Sequence, residues 1–194
     1  MSTATRLMAC LVLGSLAAPA MAAPGNDRKE GLAQWGVVES VLTNPRCLNC
    51  HTMTDYPRQG DDRHRHTFLV LRGVDGHGVP ASQCAMCHHA TNSDASGIPG
   101  ARGWHLAPLS MQWERTPGVR MTSRELCKAL TDPKRNGNRD AAQLIEHHAT
   151  EPLVAWAWSP GKRSDGTARV PPPVSHDAFV QATRAWAQAG SPCP

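Results

Sequence analysis

Cys47-Leu48-Asn49-Cys50-His51 is a C-x-x-C-H pentad, and Cys84-Ala85-Met86-Cys87-His88 repeats it. Two thiols three residues apart share one side of a helical turn, where each can add to one vinyl group of a haem. The imidazole that follows then lies under the iron as its proximal ligand. With 7 Cys and 10 His in 194 residues, chance would supply only about 0.01 such pentads. The pattern predicts two covalent haems c, held through Cys47, Cys50, Cys84 and Cys87, with His51 and His88 on the irons. A four-thiolate zinc site is the competing use of two C-x-x-C pairs. The pairs here stand farther apart than the roughly 15–20 residues of a zinc ribbon, and both carry the immediate His. A thioredoxin-like redox site would need a βαβ setting, which neither pair has.

The N-terminus agrees with this chemistry. Arg6 is followed by an apolar run from Leu7 to Ala18 and then by Ala20-Met21-Ala22. A positive start, a short apolar stretch and a small-residue cleavage site make residues 1–22 a signal peptide. The alternative, a retained anchor, needs a longer apolar span. Cleavage after Ala22 leaves 23–194 as one domain, periplasmic and without a transmembrane segment. One Arg of the 20 basic residues is lost against 16 acidic ones, so the mature charge is +3. That mild excess, with no Lys/Arg block, excludes nucleic acid as an expected partner.

Local signals are helical. Asp27 to Thr43 places Leu32, Trp35, Val38 and Leu42 near one face and stops at Asn44-Pro45. Thr122-Ser123-Arg124-Glu125 reads as a capping box ahead of Leu126, Ala129 and Leu130. Asn138 or Asp140 starts a helix bearing Leu144, Ile145 and His148. Ser175 caps a last helix with Phe179, Val180, Thr183 and Trp186 on one side. Thr52 to Ser82 and Pro160 to Pro173 are rich in breakers and read as loops. The expected fold is therefore mainly α: a small, loop-rich dihaem cytochrome c domain organised around its two haems. With few large aliphatic residues, the haem-free chain is expected to be largely unfolded.

Sixth ligands are less legible, because His and Met are abundant. His66 lies beside the apolar run Phe68-Leu69-Val70-Leu71. Met111 sits in the Pro-containing aromatic segment Trp104 to Trp113. On the third predicted helix, spacing puts His148 on the face of Leu144 and Ile145. Removing the leader removes Cys10, and the haems use four more cysteines. Cys127 and Cys193 remain, an even pair in an oxidising compartment, and are expected to form a disulfide.

The chain resembles a group of proteobacterial dihaem cytochromes c, some of which are labelled as subunits of isoquinoline 1-oxidoreductase. The resemblance rests on Pro45-Arg46-Cys47-Leu48-Asn49-Cys50-His51, Arg72-Gly73-Val74-Asp75-Gly76-His77-Gly78 and Trp104-His105-Leu106-Ala107-Pro108. It extends to Met111-Gln112-Trp113, Glu125-Leu126-Cys127, Asp132-Pro133-Lys134-Arg135-Asn136-Gly137, Leu153-Val154-Ala155-Trp156 and Cys193-Pro194. It implies His147 rather than His148 as the helix ligand, so the distal set is drawn from His66, His147 and Met111. It also implies association with a molybdenum hydroxylase. The chain itself shows no molybdopterin or iron–sulfur motif.

The expected function is one-electron transfer between redox protein partners, as a carrier or as the electron-accepting subunit of an oxidoreductase. A small peroxidase-like haem enzyme with one open iron is the rival. A haem-based sensor would want an output module, for which one small domain has no room.

Overall fold

The computed structural model describes residues 24–194, with side chains from Asp27 onward. The expected leader 1–22 lies outside the described residues. Six helices and six very short strands follow in order. Helix α1 (Pro24–Leu42) and the single turn α2 (Pro45–Leu48) lead into three two-stranded hairpins. These pair β1 (Arg58–Gln59) with β2 (His64–Arg65), β3 (Gly78–Val79) with β4 (Ser82–Gln83), and β5 (Glu114–Thr116) with β6 (Val119–Arg120). Helices α3 (Ser123–Thr131), α4 (Ala141–Thr150), α5 (Pro152–Trp156) and α6 (His176–Gln188) complete the chain. The architecture leans helical, and the small strands are what the sequence reading did not contain. Among the described residues no helix is long and apolar enough to cross a membrane.

The caps fall where the sequence puts them. Thr122 accepts from Glu125 N while the Glu125 carboxylate returns to Thr122 N, a reciprocal box that satisfies two otherwise orphaned donors. Asp140, not Asn138, does the same for α4 with Gln143. Ser175 caps α6 through Ala178 N. The most extensive helix packing is between α1 and α6. Trp35, Val38, Val41 and Leu42 of α1 meet Phe179, Ala182 and Trp186 of α6, with Leu126, Cys127 and Leu130 of α3 closing the core. Trp35 and Trp186 have ring centres 5.3 Å apart, and both indole N–H groups are satisfied, by Ser123 Oγ and by Pro192 O. A Cβ on Gly31 would stand 2.6 Å from Pro192, so the bare glycine is what lets the C-terminal tail lie against α1. That tail is bonded to the core by the disulfide Cys127–Cys193.

The helical end buries two Trp, a Phe and several aliphatic side chains against one another. Residues 52–110 are where apolar packing is thin, and polar clamps hold them. Arg72, only 6 % exposed, donates to the carbonyls of Thr52, Thr54 and Ala107. Its loop Arg72–Gly78 turns so tightly that a Cβ on Gly73 would meet Gly78 O at 2.2 Å. The buried Glu114 carboxylate accepts from Thr52 Oγ1 and Met53 N and pairs with Arg58 and Arg63.

Candidate haem sites

The first pentad sits on α2 and the turn after it. Asn44 caps the turn through Arg46 N, and Pro45 begins it. Cys50 N and His51 N both return to Cys47 O, which brings the two thiols and the imidazole onto one turn. His51 Nδ1 donates to Met111 O at 2.7 Å. Trp113 lies flat on the imidazole, ring centres 3.5 Å apart and planes 7° from parallel. The second pentad repeats the arrangement with different material. Cys87 N and His88 N return to Cys84 O, His88 Nδ1 donates to Pro99 O at 2.7 Å, and Trp104 lies parallel to the ring at 4.5 Å.

In both sites the Nδ1–H bond to a carbonyl fixes the tautomer and leaves Nε2 with a bare lone pair. That is the state a metal-binding imidazole needs, and the carbonyl also sets the ring orientation. Burial lowers the His51 pKa to about 4 against the opposing pull of the Met111 carbonyl, so the ring is neutral near pH 7. Burial raises the Cys47 thiol to about 12 and the Cys50 thiol to about 11. None of the four pentad cysteines is paired in a disulfide. Among the described residues no three His, Cys, Asp or Glu side chains converge as a metal-binding cluster.

The surroundings of the two sites differ. His66 faces the second, its ring centre 6.1 Å from that of His88 and its plane turned by 72°. Two imidazoles sharing one iron through Nε2 need about 6 Å between ring centres. That is about 2 Å per metal–nitrogen bond and roughly 1 Å from nitrogen to ring centre on each side. Phe68 N–H donates to His66 Nδ1 at 3.2 Å, which holds the ring at the end of the apolar run and makes that nitrogen an acceptor. Phe68, Leu69, Leu71 and Val74, near His66 in the chain, and Met86 within the second pentad are all exposed. So much exposed apolar surface suits a large apolar group lying over it.

Beside His51 the chain instead leaves a cavity of about 320 Å³. Its apolar wall includes Val41, Leu42, Leu144, Val154, Trp158 and Phe179, and both α4 histidines line it. His148 is 4 % exposed, and burial lowers its pKa to about 3. Thr183 Oγ1 gives its own proton to Phe179 O, so it accepts from His148 Nδ1–H and leaves that Nε2 bare. His147 is also driven down to about 4 by burial, but its Nδ1 stands 4.0 Å from Glu151 with no closer partner. Met111 lines the cavity too, yet its carbonyl is the acceptor behind His51, and its Sδ lies 3.9 Å from Arg139 Nη1.

The remaining histidines have other company. His64 bonds Asp62, His77 and His105 lie with tilted rings 4.8 Å apart, and His176 Nε2–H donates to His148 O. Trp104 lines the cavity beside His51 and also a second one, bordered by His77, Ala85, His88 and His89, and it meets Trp156 edge-on at 4.9 Å. The aromatic segment 104–113 thus packs against the two imidazoles from behind. Sequence could mark these indoles as important but not choose the face, since the choice follows from where the carbonyls of Pro99 and Met111 lie. Comparison with family models, curated proteins and solved structures finds no match to this chain.

Proposed function

We propose that the chain is an exported dihaem cytochrome c and acts as a one-electron carrier. The observation that carries the reading is the repeated geometry of the pentads. Two thiols on a turn are followed by an imidazole whose Nδ1 is tied to a carbonyl and whose face is covered by an indole. The donor set fits two haems, which would supply a reversible one-electron couple each. Cys47, Cys50, Cys84 and Cys87 would attach them, and the carbonyls of Met111 and Pro99 would keep His51 and His88 in the ligating tautomer. Trp113 and Trp104 keep water from one face of each imidazole. Because Trp104 borders both cavities, the two centres would be close neighbours, which suits passage of an electron between them. The expected leader extends the proposal to periplasmic residence, and the resemblance extends it to a molybdenum hydroxylase as electron donor. Made with a cytochrome c maturation system, the purified chain is expected to keep two haem masses after acid–acetone extraction. An intact mass without them would falsify the reading.

For the sixth ligands, His66 is proposed at the second site. At the first, the resemblance favours His147, but we take His148, because its Nδ1 is already occupied and its Nε2 is bare. Met111 is then not a ligand. His66→Ala and His148→Ala should each turn one haem high-spin in the visible spectrum, while Met111→Ala and His147→Ala stay low-spin. A high-spin His147→Ala beside an unaffected His148→Ala returns the ligand to His147.

A second reading, a peroxidase-like enzyme with one open iron, is favoured by the cavity facing His51. Carbon monoxide separates the two. A carrier with both irons doubly ligated does not bind it after reduction, and an open site takes one equivalent per chain.

A further inference from the structure

The cavity beside the first pentad is lined by more cations than anions. Arg46, Arg135 and Arg139 line it, and Glu151 is its one carboxylate. Arg46 is 7 % exposed, and among the described residues its buried Nε has no hydrogen-bond partner. Its ion pair is with Asp61, and Asp61 is shared with Arg163, so one carboxylate serves two guanidiniums. Arg135 donates to Gln112 O and Arg139 to Asn136 O. These bonds aim the side chains without neutralising them. A buried, unpaired cation or donor is costly, and an anion supplied by a ligand removes the cost. The rest of the wall is apolar and aromatic, so the occupant has a broad apolar body and an anionic edge.

We propose that Arg46, Arg135 and Arg139 form a carboxylate-binding rim that takes the propionates of the haem attached at Cys47 and Cys50. The proposal rests on the haem reading above. Guanidinium is suited to the task, because its planar fork matches a carboxylate bidentately and stays charged. The rim also biases the couple: cations near the iron disfavour the ferric state, which carries one more positive charge, and a propionate stripped of its partner favours it. Both effects make removal of an arginine lower the midpoint potential.

The test uses the full chain carrying both haems, titrated spectroelectrochemically. Arg46→Gln and Arg139→Gln should each lower the potential of one haem. The expected shift is about tenfold in the equilibrium constant for reduction, roughly 59 mV for a one-electron couple. Asp61→Asn is the structural control. It breaks the same tie between the two loops but keeps the cation, so it should move that potential upward. Wild-type potentials in both arginine variants overturn the proposal, as do parallel downward shifts in Arg46→Gln and Asp61→Asn. If Arg46→Gln does not accumulate, Arg139→Gln, which lies outside the Asp61 tie, decides alone. Absence of haem from the wild-type mass sinks the underlying reading. Retained haems with unmoved potentials sink the rim only.

Discussion

Glu114→Gln is expected to lose about 3–5 kcal/mol of stability at pH 7, the usual cost of removing one partner from a buried ion pair. Glu114 is 1 % exposed. Its carboxylate accepts from Thr52 Oγ1 at 2.8 Å, Met53 N at 2.9 Å and Gly118 N at 3.2 Å, and it neutralises Arg58 and Arg63. A neutral amide leaves two half-buried guanidiniums facing each other and turns two acceptor oxygens into one. The pH dependence has a definite sign. Burial alone would raise the Glu114 pKa, but the Met53, Thr52 and Arg63 bonds outweigh it and hold the group below its ordinary 4.5. A depressed carboxyl stabilises the fold above the unfolded value and stops doing so as pH falls through the folded one. The gap between wild type and Glu114→Gln should therefore be full at pH 7 and shrink below about pH 4.5. Urea unfolding at several pH values reads it, and a gap that stays constant into acid contradicts the assignment. Thr52 and Met53 follow His51 directly, and Glu114 follows Trp113. The variant should thus also loosen the imidazole–indole stack of the first site.

The second large effect is on the cross-link. The double substitution Cys127→Ser with Cys193→Ser should cost about 4 kcal/mol, the chain-entropy value for a closed loop of this size. The bridge spans 66 residues, and Cys127 is fully buried on α3. The tail it holds is also bonded by Trp186 Nε1 to Pro192 O and by Arg28 to Cys193 O. Some of its order should survive reduction, which makes the entropic figure the main loss rather than the start of one. The helix it secures, α6, carries Thr183, the residue that orients His148. The variant's urea midpoint should fall. A double variant within about 1 kcal/mol of wild type would mean that the tail is held by packing alone.

Much of the helical frame could be read locally. Capping boxes at Thr122 and Asp140, the cap at Ser175 and the stop at Asn44-Pro45 are short-range hydrogen-bond chemistry. They work in three or four consecutive residues, so they are visible without a fold. The covalent pairing of Cys127 with Cys193 followed from counting, because the pentads account for every other cysteine past residue 22. The pentads themselves are local for the same reason: one turn presents two thiols and an imidazole together.

The rest depended on residues far apart in sequence. Two-residue strands such as β1 and β2 carry too few positions for an alternating pattern, and their pairing is set by the turns and by Glu114 across the molecule. The core was underestimated because Trp35, Phe179 and Trp186 are few in number but meet in one place, and area buried depends on that meeting rather than on composition. Of the two histidines on α4, spacing favoured His148 and resemblance favoured His147. Only the packing of α4 on α6 shows that one Nδ1 reaches Thr183 while the other reaches nothing nearer than Glu151. The arginine rim had no sequence signal at all. Arg46, Arg135 and Arg139 are ordinary surface residues by type, and what makes them a site is that the fold turns all three toward one apolar cavity, where Glu151 is the single lining carboxylate and Asp61 serves Arg46 and Arg163 together.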